Sequence, residues 1–218
     1  MSEELGRIEK PAAERFARGR KLYLVPLVYS GKGTPPGYDE RSSRYWQQVK
    51  EQLSNLEAKI GKVNRVYHEM ISLADEEGMK VMERLNPESY QIGKSKCDNG
   101  AVFEVIENEE LVAENIDWGK CLLIGLLSLK VANKVSEFHT EASKKRYEFM
   151  AKRIDETLQG DETGILFISQ GHSLQFPNDI EVFSVFPPAL DEIHRWLRDQ
   201  VRKEQEAEPK KEEETKDE

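Results

Sequence analysis

The sequence has few of the residues that build covalent or metal-based sites. Its 218 residues include only two cysteines, Cys97 and Cys121, and four histidines. The cysteines form no C-x-x-C pair, and no two histidines lie three or four residues apart, so zinc-ligand spacing is absent. We therefore predict two free thiols, with a single disulfide as the alternative, and neither a metal nor another cofactor.

Long apolar runs are also missing. The longest, residues 121–129, is far shorter than the roughly 20 residues that span a bilayer. The charged N-terminal residues contain no apolar segment typical of a signal peptide. The sequence thus predicts a cytoplasmic protein with no membrane partner, and its net charge of −9 argues against a general DNA-binding protein.

The residues that are present predict a layered fold. Apolar residues make up 38% of the chain, and runs rich in β-formers predict strands at 21–30, 62–70, 164–169 and 180–186. A weaker pattern predicts a strand at 101–107, and amphipathic stripes between the runs predict helices. Strands that alternate with helices indicate an α/β sheet of four or five strands, largely parallel and flanked by helices.

The domain organisation follows from the same patterns. We expect a polar N-terminal arm at 1–20, one α/β domain at 21–204 with a mostly helical lobe at 72–120, and a disordered tail at 205–218. The run at 121–129 is apolar on all sides, so we expect it to be buried. The near-helical spacing from Val131 to Leu158 predicts one long helix, or two in line.

Two details of the sheet are less constrained. The last two strands are short and joined by a turn-like loop, so they could run antiparallel. Pro26 has no N–H for a strand ladder, which favours an edge position or a bulge for the first strand.

Two loops that leave predicted strands are the candidate places for a ligand. In an open α/β sheet, ligands gather beyond the carboxyl ends of the strands. The loops at 30–37 and 169–173 would meet there if their strands are parallel neighbours, and His172 would then be a candidate catalytic acid or base. A solvated turn is the simpler interpretation of His172. The candidate ligand-binding residues are Ser30, Lys32, Thr34 and Ser173.

Neither loop carries a standard catalytic motif. The first is not a phosphate-binding P-loop, because Gly33 follows Lys32 where that motif requires Ser or Thr. No serine lies in a G-x-S-x-G nucleophile elbow. The sequence therefore predicts no complete catalytic constellation.

A cluster of bases on the predicted long helix is a candidate partner-binding surface. It consists of Lys144, Lys145 and Arg146 and could contact RNA, the ribosome or another protein. Acids such as Glu141 and Glu148 lie at helical pair distances from these bases. A solvated face of ion pairs is therefore the simpler interpretation.

The order of elements at 144–200 resembles the C-terminal domain of peptide-chain release factors of the archaeal and eukaryotic type and their prokaryotic relatives. In both, a long helix leads through a Leu-containing turn into an apolar strand, here Ile165-Leu166-Phe167-Ile168, followed by a loop, a second strand and a helix. The Gly-Gly-Gln loop of that family is absent, and Gln170-Gly171 and Gln175 do not supply it. The resemblance implies a ribosome- or protein-docking module without hydrolytic chemistry.

These observations lead to three functional hypotheses. The first is a non-enzymatic binding protein, translation-associated, with a ribosome, RNA or protein partner. The second is a small hydrolase or transferase that uses Lys32 as an anion anchor and His172 as acid or base. The third is a scaffold in which the apolar run 121–129 is shared between subunits.

Overall fold

The computed structural model describes residues 18–31 and 33–214, in which strands and helices alternate. The strands within this part of the chain are β1 (Arg20–Pro26), β2 (Arg65–His68), β3 (Val102–Phe103), β4 (Thr163–Ile168) and β5 (Ile180–Ser184). The helices are α1 (Tyr38–Lys59), α2 (Asp75–Leu85), α3 (Pro87–Asp98), α4 (Glu109–Leu123), α5 (Leu129–Thr157) and α6 (Pro188–Glu214).

The sheet is parallel throughout and confirms the predicted α/β class. Its strand order is β3-β2-β4-β1-β5, and every neighbouring pair is parallel. β1 and β4 are therefore adjacent, which brings the ends of the two candidate loops to the same edge. β5 pairs with β1 and not with β4, so the antiparallel alternative for the last two strands is wrong.

Pro26 lies on an interior strand, so the edge position considered for it is wrong. β1 is sandwiched between β4 and β5. The pairing of β1 with β5 ends at Leu24, two residues before Pro26. The hydrogen bonds of the residues around Pro26 show why a proline is tolerated there. The Leu24 carbonyl accepts a hydrogen bond from the β5 side, whereas the Leu27 amide donates a hydrogen bond to β4. Backbone groups of successive strand residues point to opposite neighbours, so the nitrogen of Pro26 points toward β5. The pairing with β5 has already ended at that position, so the missing N–H of proline costs no hydrogen bond of the sheet.

Alternate residues of the central strands face two different cores, as the two-residue period of a strand requires. Tyr23 and Val25 face the larger core, which α1, α2, α3 and α6 contribute to. Leu22 and Leu24 face the second core, where the packed helix is α5 through Met150 and Ile154. Only the second half of α5, residues 146–157, therefore covers the sheet.

Residues 109–145 form a two-helix arm, made of α4 and the first half of α5. The chain reverses between the helices at 124–128, where Gly125 adopts a left-handed φ of 68° that a side chain would disfavour. No residue of α4 is buried, and in the first half of α5 only Val135 and Ala142 are. The prediction that 121–129 is buried is wrong, whereas α5 confirms the single long helix predicted from Val131 to Leu158.

The two ends of the chain are described unequally. Of the N-terminal arm predicted at 1–20, only residues 18–20 are described, and Arg20 opens β1. The backbone of α6 continues through residues 205–214 of the segment predicted as a disordered tail, whereas residues 215–218 lie outside the described part. Cys97 and Cys121 are free thiols, which is the first of the two states expected for them.

Candidate functional site

Three polar side chains meet where the central strands end. Tyr29 follows β1, Glu69 follows β2 directly, and Ser169 follows β4 directly. Because these strands are parallel and β4 lies between the other two, the three residues come together at the carboxyl edge. This edge is where ligands of open parallel sheets bind.

Glu69 and Ser169 are in direct contact. The Ser169 amide donates to Glu69 Oε1 at 2.8 Å, and its hydroxyl donates to the same oxygen. Burial raises the pKa of Glu69 above its usual value, although the bonds from Ser169 and the charge of Arg146 oppose the rise. Glu69 therefore holds a proton more readily than an exposed glutamate does.

Tyr29 extends this contact toward solvent. Burial and then the charge of Glu69 raise the pKa of Tyr29 to about 12, while a hydrogen bond with Ser169 acts in the opposite direction. The residue is still 43% exposed. Tyr29, Ser169 and Glu69 thus form a chain from the surface to a buried carboxyl, in which the link between Ser169 and Glu69 is a direct hydrogen bond.

Beneath this chain lies a buried ion pair between Arg146 and Glu107. Arg146 Nε donates to Glu107 Oε2 at 3.0 Å, and Glu69 Oε2 lies 3.8 Å from the same guanidinium. Burial alone would lower the pKa of Arg146, but hydrogen bonding and charge from Glu107, with the charge of Glu69, raise it. The Met70 amide also donates to Glu107 at 2.9 Å, which fixes Met70 in a left-handed conformation with a φ of 66°.

Two clefts open beside these residues. The larger, of about 610 Å³, lies between α5 and the β4–β5 loop. The smaller, of about 150 Å³, lies at the ends of β1 and β4. Residues that line the larger cleft include His139, Ser143, Lys144, Tyr147, Ser173 and Gln175. Residues that line the smaller one include Pro26, Ile168, Ser169, His172 and Phe186.

The described candidate residues of the two loops share this edge, but their hydrogen bonds stay within each loop or its flanking helix. His172 is half-buried, its Nδ1 accepts from the Leu174 amide at 3.3 Å, and burial lowers its pKa. The Thr34 hydroxyl donates to the Gly31 carbonyl at 2.8 Å, within its own loop. Ser30 and Ser173 are exposed, and Lys32 lies outside the described residues. Among described residues, no hydrogen bond links Ser30 or Thr34 to the 169–173 loop.

The candidate basic surface divides into two kinds of residue. Lys145 lies 2.9 Å from Glu141 and Lys144 lies 3.8 Å from Glu148, both on the exposed face of α5. Arg146 is only 6% exposed, because its guanidinium is bound to Glu107 inside the protein. Its charge therefore cannot form part of an exposed basic surface with the two lysines.

Sequence reasoning missed Tyr29, Glu69, Ser169 and the Arg146–Glu107 pair. A signal was present for Glu69 and Ser169, since each directly follows a run of β-formers and such positions meet at one edge of a parallel sheet. No comparable signal marked Glu107, which pairs with a residue 39 positions away.

A second candidate site is the end of the arm. We define the apolar tip as Leu122, Leu123, Ile124, Leu127 and Leu129. Exposure of these side chains ranges from 40% at Leu122 to 103% at Leu127. Soluble proteins rarely expose a contiguous group of large apolar side chains without a binding role.

Three lysines surround the apolar tip, and we call them the lysine collar: Lys120, Lys130 and Lys134. The sequence has no acid between Asp117 and Glu137. Lys120 contacts Asp117 at 3.0 Å and Lys134 contacts Glu137 at 2.5 Å, and in each pair the acid lies three residues farther from the tip along the same helix. Behind the collar, the rings of Trp118 and Phe138 stack with their centroids 4.8 Å apart.

Comparisons with known proteins add no further assignment. No protein-family model, curated protein or solved structure matches this chain. The resemblance to release factors therefore stays a prediction. Within the described residues, no group of three or more metal-ligating side chains is present, and no helix is long and apolar enough to cross a membrane.

Proposed function

We propose that this chain is a non-enzymatic binding protein that docks on a partner through the apolar tip of its arm. The observation that carries the proposal is the exposure of five large apolar side chains at a helical turn that the sheet and its other helices leave uncovered. Water contact with these side chains is unfavourable by about 25 cal/mol for each Å² of apolar surface. A partner that covers the tip would recover that free energy.

The turn itself does not require these leucines. Gly125 supplies the left-handed backbone, and the Ser128 hydroxyl accepts from the Val131 amide to cap α5. Polar residues serve equally well at the remaining turn positions. The apolar composition of the tip is therefore best explained by binding.

The proposal moves the docking surface away from residues 144–146. There Arg146 is buried and the two lysines lie beside glutamates, which weakens the case for RNA contact. A tip of leucines is equally unsuited to a phosphate backbone, whose recognition depends on charge. A translation-associated partner, which the release-factor resemblance implies, is one candidate occupant of the tip.

Fractionation of native cell extract tests the proposal. The tagged wild-type chain and a Leu123→Asp/Leu127→Asp variant would be compared across free-protein, ribosomal and membrane fractions. We expect the wild type to associate with one particulate fraction and the variant to return to free protein. A matched control, Leu85→Asp/Val201→Asp, changes exposed apolar residues away from the tip and should behave as wild type. Identical distributions of wild type and tip variant would contradict the proposal.

A second candidate function is a small hydrolase or transferase at the carboxyl edge. It is favoured by the contact of the Ser169 hydroxyl with a carboxyl that burial makes more basic. In this scheme Glu69 accepts the hydroxyl proton, Ser169 Oγ bonds to the acyl carbon, and the departing group takes the proton back. His172, which faces the smaller cleft, is the alternative base.

Turnover of simple activated esters by purified protein tests this second candidate. Ser169→Ala and Glu69→Gln should each lower kcat/KM by roughly a hundredfold or more, since each removes a group that acts in the transition state. Ser95→Ala, at an exposed serine on α3, is the matched control and should retain activity. A loss of activity in His172→Ala with retention in Glu69→Gln would assign the base role to the histidine instead.

A further inference from the structure

We propose that the apolar tip inserts into the interfacial region of an anionic lipid bilayer. This inference rests on the proposed function, because it names the partner of the same docking surface. The sequence predicted no membrane partner on the ground that its longest apolar run is too short to span. A tip that enters only the headgroup and upper acyl region needs no spanning segment.

The shape of the tip favours a deformable partner. Leu123, Leu127 and Leu129 lie at the end of a helical hairpin, and each is more than three-quarters exposed. A convex apolar end can be covered by another protein only if that protein offers a matching concave pocket. A bilayer needs no preformed pocket, because its acyl chains adapt to an inserted side chain.

Charge around the tip favours an anionic surface. The lysine collar is the nearest charge to the apolar tip on both helices, and Lys130 has no ion-pair partner among the described residues. Lysine side chains can lay their apolar stems along inserted residues while the ammonium groups stay among lipid phosphates. Each lysine near an anionic membrane strengthens binding by about fivefold.

Distances along the arm match interfacial insertion. Trp118 and Phe138 stack side by side behind the tip, and aromatic rings of this kind settle at the membrane–water boundary. From that layer to Leu123 is about 8 Å along α4, and to Leu129 about 14 Å along α5, at 1.5 Å per residue. Interfacial helices bury their apolar groups to about 5–10 Å, so Leu123 falls within that depth and Leu129 reaches somewhat deeper. The aromatic layer would therefore lie at the headgroups when the apolar tip reaches the acyl chains.

Co-sedimentation of the full chain with vesicles tests the inference. The probes are vesicles of phosphatidylcholine alone and of phosphatidylcholine mixed with phosphatidylserine. We expect binding to the mixed vesicles that weakens with salt. Leu123→Asp/Leu127→Asp should weaken binding roughly a hundredfold, because two leucines that would insert into the bilayer are replaced by charged residues. Substitution of a collar lysine, such as Lys130→Gln, should weaken it about fivefold. The control Leu85→Asp/Val201→Asp should bind as wild type.

Three outcomes would overturn the inference, and they bear differently on the proposed function. If the wild type binds neither vesicle but associates with ribosomes or a protein in extract through its tip, the lipid-binding inference is wrong and the proposed docking function stands. If the wild type sediments as a dimer and the tip variant as a monomer, the partner of the tip is a second copy of this chain and not a bilayer. If wild type and tip variant behave alike with vesicles and in extract, both the lipid-binding inference and the proposed docking function are wrong.

Discussion

The two halves of α5 belong to one continuous helix but have different environments. In residues 146–157, Arg146, Met150 and Ile154 are buried against the sheet and its carboxyl-edge loops. In residues 129–145, only Val135 and Ala142 are buried, and the helix there packs mainly on α4. The spacing of three and four residues runs through both halves and is apolar except at Arg146, between Ala142 and Met150. A helical stripe therefore reveals which face is apolar but not whether a core, a partner helix or another molecule covers it.

The comparison also separates two uses of charge. In the second half of α5, Arg146 binds a carboxylate whose side chain is fully buried. In the first half, lysines such as Lys145 pair with glutamates on the same exposed face. Buried pairs are expensive to break, whereas exposed pairs contribute little.

The largest effect is expected from Arg146→Met. The change leaves Glu107 buried without its partner, and we expect the free energy of unfolding to fall by about 3–5 kcal/mol. Lys145→Met, at the adjacent residue of the same helix, should leave it almost unchanged, because the pair of that lysine with Glu141 is exposed. Urea denaturation of both variants at neutral pH measures the difference.

A rescue variant distinguishes charge from packing. In Arg146→Met/Glu107→Gln neither partner is charged and the glutamine oxygen can still accept from the Met70 amide, so most of the lost stability should return. If the double variant is as unstable as Arg146→Met, the loss comes from packing of the arginine stem. Equal stability of Arg146→Met and Lys145→Met would mean that the two halves of α5 do not differ in the way the burial pattern indicates.

Much of the fold could be predicted because it depends on local patterns. Runs of β-formers at 21–30, 62–70, 164–169 and 180–186 each coincide with a strand of the parallel sheet to within one residue at its start or contain it. The weaker pattern at 101–107 yields only the two-residue strand β3. Strand order was not predictable, since β1 pairs with residues about 140 positions away and no local pattern encodes that choice.

The sites were harder to predict for physical reasons. The run at 121–129 looked like a core segment because composition reports hydrophobicity and not location. Arg146 looked like a surface base because its partner Glu107 lies on a different segment, beyond β3. His172 and Ser173 line clefts, since a loop that leaves a parallel strand begins at the carboxyl edge, and their role as site residues stays a prediction.

The smallest effect on stability is expected at the apolar tip. Leu127→Ser/Leu129→Ser removes side chains that are 103% and 76% exposed, so the fold has little buried contact to lose. We expect the free energy of unfolding to change by no more than about 0.5 kcal/mol, measured by urea denaturation beside wild type. Leu166→Ser, at a fully buried leucine of β4, is the matched control and should cost about 3 kcal/mol or more. A loss at the tip as large as in this control would mean that the tip leucines support the fold, and their exposure would no longer argue for a partner. Unchanged stability together with lost docking would separate what holds this protein together from what it presents to others.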